Sequence, residues 1–73
     1  MNEFVTHRGM DCLVVHGITK SKSRALYSHA RRYSLLVDRV ADERSKYSLY
    51  FPVLAAGREA TAKVVSGLLK VVS

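Results

Sequence analysis

Cys12 and His16 come nearest to covalent chemistry in this chain, standing four positions apart in "CLVVH". A thiol beside an imidazole is a nucleophilic pair, because the thiolate is the reactive form and a neighbouring base generates it. On an extended segment that spacing puts both side chains on one face. The run around Cys12 is apolar, however, and a cysteine there reads as a small buried hydrophobe. His7 and His29 have no evident partner in the sequence. A structural metal site wants about four Cys or His ligands at close spacings. Cys12, His7, His16 and His29 are scattered singly, so neither a metal nor a cofactor is expected. Asp42-Glu43 is the one adjacent carboxylate pair, in the polar run "ADERSK". The glycines at 9, 17, 57 and 67 are isolated and build no phosphate loop. The expectation is a protein that is not an enzyme.

The stronger signal is charge. "TKSKSRALYSHARRY" (19–33) holds five of the twelve lysines and arginines and no acid. On a helix advancing roughly 100° per residue, Lys20, Arg24, Tyr27 and Arg31 fall on one stripe, flanked by Lys22 and Arg32. Leu26, Ala30, Tyr33 and Val37 fall on nearly the opposite side. A helix start carries partial positive charge and favours acids. Here Lys20, Lys22 and Arg24 gather at the start, while Asp38, Asp42 and Glu43 lie towards the expected end. Local stability does not explain that order, whereas a bound anion would. The stripe Lys20, Lys22, Arg24, Tyr27, Arg31 and Arg32 is therefore the candidate partner-binding surface, with Tyr27 able to stack on a base. The plainer alternative is a solvated helix face.

The elements that position these residues read as α+β. "EFVTH" (3–7) and "CLVVHG" (12–17) are short β-branched runs about a turn at "RGMD" (8–11), a β-hairpin whose second strand stops at Gly17. From Thr19 the period changes: Leu26, Ala30, Tyr33, Val37 and Val40 follow helical steps. Thr19 or Ser21 caps one long amphipathic helix that runs to about Arg44, with a break near Ser34 as an alternative. "KYSLYFPV" (46–53) alternates as a half-buried strand, and Pro52 suggests an edge strand or a strand end. "GREATAKVVSGLLKVV" (57–72) suits a helix or a hairpin. All 73 residues make a single domain.

One cysteine allows no intrachain disulfide, and the start of the chain does not read as a signal peptide. "YSLYFPVLAAG" (47–57) falls well short of the roughly 18 apolar residues of a membrane span. A cytoplasmic location, with no membrane partner, is the expectation. Net charge is +6, which suits nucleic acid or an acidic protein surface. The long helix lacks the turn of a helix-turn-helix, and no ribonucleoprotein or GxxG motif is present.

In size, charge and want of a cysteine framework the whole chain resembles the small regulators that lytic phages make to seize host RNA polymerase. The resemblance implies a transcription regulator that binds the polymerase and alters initiation or termination, including antitermination, in the cytoplasm of the host cell. It carries no diagnostic motif and transfers no residue. A protein contact needs an apolar anchor beside the charges, and Phe4 and Val5 are the candidates. Direct binding of DNA or RNA through residues 20–32 is the second reading. A small structural protein with incidental charge is the third.

Overall fold

The computed structural model describes residues 3–42 and 45–72. β1 (Glu3–His7) and β2 (Met10–Thr19) form the expected hairpin. The turn is tighter than the span 8–11. Only Arg8 and Gly9 lie between the strands, both with positive φ (52° and 78°), the geometry whose twist suits a two-residue connection. β2 does not stop at Gly17. It continues to Thr19 through a bulge, where the pairing with β4 slips by one residue between Val15 and Ile18 and Gly17 takes φ 66°. That extra residue changes which face the following side chains meet. Ile18 is thereby turned into the core.

Helix α1 (Lys20–Arg32) starts where the sequence suggests, with the Thr19 hydroxyl accepting from the Lys22 N–H at 3.3 Å. It ends a dozen residues before Arg44. The Ser34 N–H donates to the Arg31 carbonyl (3.0 Å) and the Leu35 N–H to the Ala30 carbonyl (3.0 Å). This is a Schellman closure. Ser34 holds the left-handed position at φ 59°, and Leu35 folds back onto the core cluster that contains Ala30. The long helix is thus corrected to a short helix, a loop and a strand, β3 (Asp38–Ala41). Val37 sits in that loop, Val40 and Asp38 sit in β3, and Tyr33 becomes the exposed C-cap.

β4 (Lys46–Pro52) follows, then α2 (Arg58–Val72). The C-terminal segment is a helix and not a hairpin. Gly67 is absorbed in its interior. The sheet is antiparallel with order β1-β2-β4-β3, so β4 is central and Pro52 marks its end, not an edge. The α+β class stands, with both helices on one face of the sheet. Leu13, Ile18, Leu49 and Phe51 from the sheet pack against Leu26 and Ala30 of α1 and Val65 and Leu68 of α2.

Candidate functional site: a basic groove beside an edge strand

Ser23, Leu26 and Ala30 are the side chains that α1 buries. Their spacing leaves Lys20, Lys22, Arg24, Arg31 and Arg32 exposed. The stripe is therefore real as a surface. Tyr27 is half-buried against the core, with the Arg31 guanidinium 6.0 Å from its ring centre. The opposition to the helix dipole is only half of what the sequence suggested. Asp38 and Asp42 lie outside α1, and Glu43 lies outside the described residues. Arg31 and Arg32, at the C-terminal end, suit the dipole, whereas the first turn holds no acid.

Towards β3 the stripe borders a groove of about 480 Å³ lined by Arg24, Tyr27, Ser28, Val37, Asp38 and Arg39. A second hollow continues it past the helix start, between Lys20, Arg24 and Lys46. Arg39 is the feature that sequence reasoning missed, because it was assigned to the helix. From β3 its Nε donates to the Ser23 hydroxyl (2.8 Å), which donates in turn to the Lys20 carbonyl (2.8 Å). Its guanidinium lies 4.1 Å from the Tyr47 ring centre. Its buried Nη2 has no hydrogen-bond partner among the described residues. Asp38 also borders the groove, but its carboxylate turns to the other face of the sheet, where His7 Nε2 lies 2.6 Å and Arg8 Nε 3.4 Å from it. The His7 hydrogen bond, aided by the Arg8 charge, holds the Asp38 carboxyl below its usual range.

The uncovered face of the sheet carries the other chemistry-bearing residues. The pairing places Glu3, Val14, Tyr50 and Asp38 in one row across it. His7, which had no partner in the sequence reading, stacks on Tyr50 with ring centres 3.8 Å apart. His16 shares this side with Cys12, yet it engages Ser48 Oγ through Nδ1 (3.0 Å) and Glu3 through Nε2 (3.3 Å). The Ser48 hydroxyl donates to Asp42 at 2.5 Å. A serine nucleophile must pass its proton to the imidazole. Here the carboxylate takes that hydrogen bond, and Ser48 is 0% exposed. The cluster therefore reads as a cross-strand clasp. Cys12 is 1% exposed, and desolvation with the nearby Asp11 charge raises its thiol pKa. Among the described residues no three His, Cys, Asp or Glu side chains gather as a metal site would need, and no helix is long and apolar enough to cross a membrane.

Phe4 is not a free anchor. It packs on the core beneath Arg58, whose guanidinium lies 4.7 Å from its ring and pairs with Asp11 at 2.8 Å. Val5 is half-buried, opposite Cys12. Among the described residues the most exposed large apolar groups are instead Tyr33 and Leu36, both 69% exposed, at the Arg31–Arg32 end of α1, ahead of Val71, Met10 and Val64. Arg31 and Leu36 line a common hollow. No family model matches this chain, and none of the curated proteins or solved structures compared with it does.

Proposed function

We propose that the chain is a non-enzymatic transcription regulator, phage-encoded and working in the host cytoplasm, that binds RNA polymerase through the exposed face of α1. One observation carries the reading as a protein binder. Arg31 and Arg32 sit beside the exposed Tyr33 and Leu36, so cations and apolar anchors share one flank. Interfaces between proteins combine an apolar centre with a polar rim, whereas nucleic-acid contact asks chiefly for charge. The polymerase as partner rests on the resemblance in size and charge to the phage regulators.

Capture from bacterial lysate, with and without nuclease, tests the proposal. Polymerase should be retained after nuclease treatment. It should be lost on changing Lys20, Arg24 and Arg31 together to Glu, and on changing Leu36 to Ser. Capture that disappears with nuclease, and a binding constant that falls by roughly one log–log unit of salt per phosphate contacted, would replace the polymerase reading with direct nucleic-acid binding.

A further inference from the structure

The groove beside α1 ends at a strand edge whose hydrogen-bonding groups point into the open. β3 is an outer strand, paired on one side only among the described residues. The Asp42 N–H bonds the Lys46 carbonyl, and the β3–β4 register is Asp38↔Tyr50, Arg39↔Leu49, Val40↔Ser48 and Ala41↔Tyr47. Antiparallel pairs alternate between bonded and non-bonded. With the Asp42 pair bonded, Val40 and Asp38 also bond to β4. Arg39 and Ala41 then direct their N–H and C=O groups outward. Proteins blunt such edges or use them to add a partner's strand.

The surroundings say which strand would fit. Lys20, Arg24, Arg39 and Lys46 lie along the edge and the groove, and Asp38 is occupied by His7 and Arg8. A second copy of this chain would bring the same cations against them. At the other edge, β1 carries charges that are already matched, Glu3 with His16 and neighbouring Asp11 with Arg58. We infer that the β3 edge takes an extended acidic segment of a partner protein as a fifth strand of the sheet. This deepens the reading of the α1 face as a protein-binding surface and rests on it. Side chains opposite Arg39 and Ala41 share their face of the sheet, so they project into the groove beside Arg24. The residue between them projects to the other face, beside Val40, Asp38 and Asp42. The segment recognised therefore alternates acid, neutral, acid.

The test uses the full chain and an acetylated peptide that alternates glutamate with valine. Its glutamates should meet Arg39 and Arg24. The same peptide with lysine for glutamate should not bind. Methylation of the glutamate amide nitrogens should weaken binding by roughly tenfold, the scale of losing strand hydrogen bonds. Ala41→Pro should do the same from the protein side, because it removes an outward N–H without touching the β4 ladder. On binding, the Arg39 and Ala41 amides should exchange more slowly, while those of Asp38 and Val40 stay as they are. The peptide variants keep the test sound if Ala41→Pro impairs folding. Equal binding of the methylated peptide, no new protection at Arg39 and Ala41, or no binding of the acidic peptide overturns strand addition. If Arg24→Glu then still abolishes capture from lysate, the basic face stands as a binding surface. If Arg24→Glu binds every partner as the parent does, the basic face fails as well.

Discussion

Replacing Ser34 by glycine should stabilise the protein, and the sign of the effect tests where α1 ends. Ser34 has φ 59° and is exposed; its N–H closes the helix on Arg31. A side chain in the left-handed region costs about 1–2 kcal/mol, which glycine does not incur. Glycine gives back roughly 0.5–1 kcal/mol through the freedom it adds to the unfolded chain. The net gain is about 0.5–1 kcal/mol, or a rise in Tm of roughly 2–8 °C for a domain of this size. Circular dichroism melts and urea titrations, with an unchanged urea slope, measure it. Ser34→Val, with a β-branched side chain, should lower stability by about 1 kcal/mol or more. A helix continuing through residue 34 requires the reverse. Glycine would then cost a few tenths of a kcal/mol and valine would be nearly neutral. A loss of stability in Ser34→Gly together with tolerance of Ser34→Val would refute the Schellman closure and restore the long helix.

Gly67→Ala should add about 1 kcal/mol and raise Tm by roughly 4–8 °C, read in the same melts, since a Cβ at Gly67 meets nothing within 4 Å inside α2. Asp38→Asn tests the His7–Asp38 pair on the uncovered face of the sheet through pH. The folded Asp38 carboxyl lies below its ordinary value of 3.8, so its contribution is present above that pH and is lost as pH falls through the lowered folded value. The gap in Tm between parent and Asp38→Asn should shrink as pH is lowered below about 4. A gap that persists in acid would mean that Asp38 acts through shape alone.

How much of this the sequence could say depended on whether a residue's type matched its backbone. Thr19, Leu26 and Ala30 are ordinary choices for a cap and a buried helix face, and their places were legible. Ser34 was not, because nothing in a serine marks a left-handed terminus where glycine is the common signal. Missing that stop carried the helical period on into Val37 and Val40, which happen to keep the spacing. Asp38 and Asp42 were thereby put on the wrong element, and Arg39 went unnoticed. Gly17 misled in the other direction: it reads as a strand end, yet it supplies the positive φ of a bulge that lets β2 run on. In α2 the valines and Gly67 argue for strand, but Thr61, Val65 and Leu68 bury one helical face, and that packing outweighs local preference. The basic stripe survived these errors because all of its residues precede Ser34.

The error about the acids changes the meaning of the charge. With Asp38, Asp42 and Glu43 on the helix, the pattern would have been a helix built against its own dipole throughout. In the fold, Glu3, Asp11, Asp38 and Asp42 each hold a bonded partner, and three of those partners are His16, Arg58 and His7. The sheet and the start of α2 thus engage these four acids within the fold, while Glu59 stays exposed in the first turn of α2. Lys20, Lys22, Arg24 and Arg32 make no ion pair with a carboxylate among the described residues, and Arg39 has only the Ser23 hydroxyl and the Tyr47 ring. Isolated surface ion pairs contribute little to stability, so folding gains little from pairing those cations and loses little by leaving them open. What the arrangement does produce is one flank of uncompensated charge, set against exposed Tyr33 and Leu36 at one end and a free strand edge along its side. The acids missing from this flank are the ones a partner would have to bring.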